Sequence, residues 1–192
     1  MLIDIIKSIR SIKKFTDKQI SKEDLMYILD AGRLASTCGN KQPWIFGIID
    51  DRELINELAR YSNNQRWIAD APVVIALCTK RMSDEDMDVE KYRLGKLKED
   101  LYDIDPNVFD IICAHEHQAL IAAQNMTLTA WEKGIGSCII AYLDVYKASK
   151  LLKVPNSHLV TYLLALGYPD IESTPKNLKS LDEIIFYNKY DK

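Results

Sequence analysis

Cysteine is scarce in this chain, and its few copies stand apart. The four, Cys38, Cys78, Cys113 and Cys138, form no Cys-x-x-Cys pair. That spacing suggests neither a zinc cage nor an iron–sulfur cluster, so no metal is expected, and the cysteines read as free, buried thiols. Long apolar runs are missing too. The longest, near residues 160–166, is strand-sized, far below the ~20 residues a spanning helix needs. The first seven residues are too short and too charged a stretch for a signal peptide, so a cytoplasmic location is expected. Neither sign of charge dominates: 25 Lys and Arg stand against 28 Asp and Glu, a net charge of -3. This argues against nucleic acid and anionic membranes as partners. No repeat, low-complexity segment or Gly/Ser-rich linker divides the 192 residues, so one domain spanning 1–192 is expected.

What is present is a series of well-punctuated elements. Ile3, Ile6 and Ile9, three apart, predict a short helix ending near Ser11. Ser21, followed by Glu23 and Asp24, is a helix N-cap, with Leu25, Ile28 and Leu29 as the buried stripe and a stop within residues 36–40. Residues 44–49 read as a buried strand, 53–61 as a helix, and 73–79 as a second buried strand opened by Pro72. Residues 83–104 hold a polar helical segment, acidic first and basic later, suited to a lid or a docking surface. Asp105-Pro106 starts a long helix that runs to about Lys133, where Gly134 ends it. Ala119, Ala122, Ala123 and Ala130 on it permit close approach of another helix, in the same subunit or a second one. Strands follow at 137–143 and 159–166, with a helix capped by Asp144 between them and a fifth strand at 184–187 in the tail. The interspersed, irregular order reads as α+β, one mixed sheet with helices on it.

Three segments carry chemistry. Arg10, Ser11, Lys13 and Lys14 gather cations and a hydroxyl at a helix end, a set that can clamp a phosphate, although a basic run is also an ordinary solvated face. Ser36-Thr37-Cys38-Gly39-Asn40-Lys41-Gln42-Pro43-Trp44 leads a polar turn into a strand, and its Asn and Gln amides can pair with the edge of a heteroaromatic ring. Gly134-Ile135-Gly136 allows backbone to approach a flat ligand, or simply caps the helix. The order there is helix, glycines, strand. A dinucleotide fingerprint requires strand, glycines, helix, which excludes a Rossmann site.

Taken in this order, the segments resemble the nitroreductase family. That family opens close to R-R-S-x-R-x-F, here Ile9 to Phe15. It continues with a turn like A-P-S-x-x-N-x-Q-P-W, here Ala35 to Trp44. Its A-x-Q-N and G-x-G-S-C segments resemble Ala122 to Asn125 and Gly134 to Cys138. The end matches through Ala165-Leu166-Gly167-Tyr168-Pro169, Pro175-Lys176 and Leu181 to Ile185. Two positions depart: family arginines are replaced by Ile9 and Leu178, with Lys179 one place beyond the second.

The resemblance implies a three-layer fold, a mainly antiparallel mixed sheet flanked by helices in an intertwined homodimer, with residues 173–192 embracing the partner. It implies noncovalent FMN, with Arg10, Ser11, Ile12, Lys13 and Lys176 holding phosphate and ribityl chain. Ser36, Thr37, Asn40 and Gln42 would reach the flavin of the other subunit. Asn64 or Gln65 would bond its pyrimidine edge, and the backbone of Ile140, Ala141 and Tyr142 would lie along the ring. The implied activity is hydride transfer from NADH or NADPH, through flavin N5, to a nitroaromatic, quinone or similar flat acceptor, with ping-pong kinetics. The flavin carries the chemistry, so no catalytic side chain is assigned, and Lys13 is the electrostatic candidate. The alternative is a flavin-storage or flavin-sensing protein without turnover.

Overall fold

Two strands without a polar face organise the chain. β2 (Val73–Lys80) is buried except at its last residue, and β4 (His158–Gly167) except at its first. Strands buried on both sides need a helical layer on each. The computed structural model describes residues 1–81, 114–170 and 176–190. Among these the sheet runs β1 (Trp44–Ile49), β2, β4, β3 (Gly136–Ile140), and every pairing between strands is antiparallel. The one parallel contribution is an isolated bridge between Ser11 and Ser137.

Alternation divides the core. Val73, Ile75 and Leu77 of β2 join Tyr162, Leu164 and Leu166 of β4 against α2 (Lys22–Arg33) and α4 (Ala114–Glu132). Val74, Ala76 and Cys78 join Leu163 and Ala165 against α3 (Arg52–Tyr61) and α5 (Val145–Leu151). Val160 joins this second set although its parity places it with the first. A bulge beside Leu77 and Cys78 leaves Thr161 unpaired, and its hydroxyl donates to the Leu77 carbonyl at 3.2 Å. One extra residue turns the rest of the strand over, and so re-aims Val160.

The caps act locally. The Ser21 hydroxyl accepts from the Asp24 amide at 3.0 Å, the Asp51 carboxylate from Leu54 at 2.9 Å, and the Asp144 carboxylate from Lys147 at 3.1 Å. These are the side-chain acceptors that free N-terminal amides require. Small residues bring α2 and α4 together: a Cβ on Gly32 would collide with the Met126 side chain, and the Asn125 side-chain Nδ2 donates to the Ala31 carbonyl at 3.2 Å. α1 (Leu2–Ser8) is tied to α4 by the Trp131 indole, which donates to the Ser8 hydroxyl at 2.8 Å.

Several expectations are corrected. β1 is half-buried rather than buried, because an edge strand has one neighbour; Ile45 and Ile48 are exposed. α2 stops at Arg33, ahead of residues 36–40. β3 ends at Ile140, because the Asp144 amide donates to the Tyr61 carbonyl at 2.8 Å and draws the chain toward α3. Residues 184–187 form no strand: they follow a 3-10 turn at Leu181–Glu183 and pair with no edge of this sheet. Cys78 and Cys138 are buried free thiols, whereas Cys38 is exposed on its turn. Cys113, the 83–104 segment and the Asp105-Pro106 helix start lie outside the described residues, as do 173–175 and 191–192 of the tail. Among the described residues no helix is long and apolar enough to cross a membrane.

Candidate active site

The site is built on a flat patch of sheet. Gly136 and Gly167 face each other across β3 and β4. A Cβ on Gly136 would lie 2.6 Å from Ile12 Cγ1, and one on Gly167 would lie 2.7 Å from Phe15 Cδ1. The missing side chains let Ile12 and Phe15 seat on the strands, 1% and 7% exposed. The backbone is stitched there as well: the Ile12 amide donates to Ser137 at 2.9 Å, Thr16 to Tyr168 at 2.9 Å, and Asp170 to Lys14 at 3.1 Å. Gly136 therefore serves the approach of Ile12, while Gly134, at φ +71°, ends the helix.

With Ile12 turned inward, Ser11 and Lys13 are exposed. The cations of this segment then part company. Lys14 is neutralised by Asp170 at 2.9 Å, which raises its pKa through the hydrogen bond and then the charge. The Arg10 guanidinium donates to the carbonyls of Lys7 at 2.8 Å and Ile9 at 2.9 Å. Lys176 reaches the same end of α1, donating to the Ile6 carbonyl at 3.2 Å. Lys13 instead places its ammonium 5.3 Å from the centre of the Trp67 ring. Burial pushes the Cys138 thiol up, while the Lys13 charge and Ser11 pull it down.

Next to this segment a recess of about 180 Å³ opens between Ser11, Gln124, Thr127 and Ser137, with Arg10 on its wall. The Thr127 and Ser137 hydroxyls are buried without a hydrogen-bond partner. Each such orphan costs about 1–3 kcal/mol. Two orphan hydroxyls beside the exposed Ser11 hydroxyl, with Arg10 on the wall, make a donor set of the kind that fits a phosphate ester.

The polar turn at residues 36–42 stands elsewhere. It has left-handed backbone at Gly39, Asn40 and Gln42, and the Gln42 side-chain Nε2 donates to the Asn40 carbonyl and side-chain oxygen at 3.2 Å each. The Cys38 amide donates to the Gln118 side chain of α4 at 3.0 Å. At 1.5 Å per residue, Gln118 and Thr127 are about 13 Å apart along that helix. The turn and the Ser11–Lys13 segment are thus not brought together within one subunit. Ser36, Asn40 and Gln42 are exposed and Thr37 half-buried. Asn64, also left-handed, lines a hollow with Arg60 and Arg66, and Gln65 is half-buried beside it. Ile140 is buried, whereas Ala141 and Tyr142 are exposed.

Residues 6–168 match the sequence model of the Nitroreductase family. The chain belongs to the nitroreductase family. A "Putative NADH dehydrogenase/NAD(P)H nitroreductase" of Archaeoglobus fulgidus is 29% identical over 177 residues, 88% of this chain and 86% of its own length. An "NADPH-flavin oxidoreductase" of Vibrio harveyi is 26% identical over 190 residues, 98% of this chain and 74% of its own. Among solved structures, an "FMN-dependent Nitroreductase" from Clostridium difficile R20291 superposes with a TM-score of 0.74 at 26% identity, covering 98% of this chain and 99% of its own.

In this member of the family the two replaced arginine positions differ in setting: Ile9 is half-buried in the recess wall, and Leu178 is exposed. Sequence reasoning does not reach Trp67, Thr127 or Ser137 as site residues. Ser137 sits inside the Gly-x-Gly-Ser-Cys segment, a usable signal. Trp67 and Thr127 give none, because each is placed by contacts remote in sequence.

Proposed function

We propose that this chain, as one nitroreductase-like domain, binds one FMN noncovalently per subunit of a homodimer and passes electrons from NADH or NADPH to flat acceptors such as nitroarenes and quinones. At the coarser level it is an NAD(P)H-dependent flavin oxidoreductase, as the names of its relatives state of them. FMN, when bound, supplies hydride acceptance and donation at N5, with both substrates using one place in turn, hence ping-pong kinetics. The protein's residues bind and polarise. Arg10, Ser11 and Lys176, with the Ile12 backbone, take the phosphate and ribityl end, and Lys13 presents positive charge where reduction places negative charge. Ser36, Thr37, Asn40 and Gln42 contribute from the second copy. Asn64 or Gln65 and the backbone at residues 140–142 flank the ring.

The observation that carries this reading is the seating of residues 11–15 on the glycine pair, which turns Ser11 and Lys13 outward, Ser11 beside two unpartnered hydroxyls. The separation of the 36–42 turn from them supports a shared site between subunits. Purified protein is expected to be yellow, to bleach under argon with NADH or NADPH, and to regain colour with a nitroarene or quinone. Protein that stays colourless in excess FMN contradicts the proposal, and bleaching without reoxidation contradicts the acceptor class.

The residue assignment has its own test. Lys13→Ala and Lys176→Ala are each expected to weaken FMN binding by roughly tenfold or more, since a charge-assisted contact contributes ~1.5–3 kcal/mol. Lys7→Ala and Lys189→Ala serve as controls. Equal affinity in all four variants would remove Lys13 and Lys176 from the site.

A further inference from the structure

We propose that Trp67 is a positioning residue that holds the Lys13 ammonium in place through its ring face, so that the site favours reduced over oxidised FMN; this rests on the electrostatic role given to Lys13 above. A lysine ammonium rides on a flexible four-carbon stem. To stabilise charge that appears only on reduction, it must be held still before the reaction and must keep its own charge. A carboxylate partner would hold it but neutralise it, as Asp170 does for Lys14 at 2.9 Å. An aromatic face holds a cation through the ring quadrupole and leaves the charge whole, within about 6 Å of the centroid. Lys13 lies 5.3 Å from the Trp67 centroid and, among the described residues, makes no ion pair.

Both ends of this contact are anchored. Lys13 follows Ile12, which is seated on Gly136 and bonded to Ser137. Trp67 belongs to the 3-10 turn Arg66–Asp70, packs on the core, and is followed by Ile68, which is fully buried. Arg52 of α3 pins the turn by donating to the carbonyls of Ala69 at 2.8 Å and Ala71 at 3.1 Å. The ring therefore cannot follow the lysine. It fixes where the charge can rest.

The test measures the two-electron midpoint potential of bound FMN and the affinity for oxidised FMN in wild type, Trp67→Phe, Trp67→Leu, Lys13→Gln and the double variant Lys13→Gln/Trp67→Leu. Trp67→Leu is expected to lower the potential by about 15 mV, a roughly threefold loss in preference for reduced FMN at about 30 mV per tenfold. Trp67→Phe, with a weaker ring quadrupole, should fall between it and wild type. In the Lys13→Gln background, Trp67→Leu should produce no further shift, because coupled residues are not additive. The inference is overturned if Trp67→Leu shifts the potential equally with and without Lys13, or if Lys13→Gln lowers it while the Trp67 variants do not. If Trp67→Leu does not fold, Trp67→Phe decides: a smaller decrease is expected, and none overturns the proposal. Wild-type protein that takes up no FMN overturns the underlying functional reading, and this inference with it.

Discussion

Ending the chain after residue 175 is expected to abolish dimerisation, flavin retention and solubility together. Of the tail that would be lost, Leu178, Leu181, Ile184, Phe186, Tyr187 and Tyr190 are each more than half exposed in the single chain. A run of that kind does not persist against water without covering a second surface. Among the described residues, Lys176 donates to the Ile6 carbonyl at 3.2 Å, and Ser180 and Glu183 bond each other across one turn. The rest of the subunit offers matching apolar ground, with Leu2, Ile3 and Ile6 of α1 and Ile121 of α4 all exposed. An obligate interface of this type buries well over ~2,000 Å². Removing the tail also removes Lys176 from the phosphate end. Light scattering and flavin absorbance on the truncated chain give the answer. A soluble monomer that still carries flavin would show that the tail is neither the dimer clasp nor part of the site.

Gly136→Ala should impair the site although Gly136 itself is not assigned to the cofactor. The new Cβ would meet Ile12 Cγ1 at 2.6 Å, Ile12 Cβ at 2.9 Å and Pro169 Cγ at 3.0 Å. Contacts this short cannot be kept, and the methyl group points at the branched carbon of a fully buried side chain rather than at a flexible tip. Overpacking of this order costs about 1–3 kcal/mol. The less expensive relief is for residues 11–13 to lift from β3, which breaks the Ile12 amide bond to Ser137 and moves Ser11 and Lys13 with it. We therefore expect a lower urea midpoint together with at least a tenfold loss of FMN affinity, since two contacts of ~1.5–3 kcal/mol each are displaced. Urea unfolding followed by fluorescence and an FMN titration check both halves. Unchanged FMN affinity in a destabilised protein would separate Ile12 seating from flavin binding and move the site away from this strand.

Local signals were sufficient for much of the architecture. Ser21 and Asp144 are legible as caps because the amides they serve lie within the next turn, and both are bonded as those positions suggest. The unbroken apolar runs of β2 and β4 announce strands covered on two sides. Gly134 reads as a helix stop because a left-handed residue is needed there. The order of the basic segment, the Asn-x-Gln-Pro-Trp turn and the Gly-x-Gly segment carries the family, since residue type along the chain is all that such a match uses. The tertiary structure decided what depends on partners far away in sequence. That β1 is an edge, half exposed, follows from strand order rather than from its own apolar composition. Gly136 gives Ile12 its seat only because residues 11–15 cross β3 and β4. Lys13 and Lys14 are adjacent and chemically alike, yet one is neutralised by Asp170 and the other rests on Trp67. Charge and hydrogen-bonding capacity belong to the residue type and can be read from sequence, but whether they remain available depends on which remote side chain packing brings within a few ångströms.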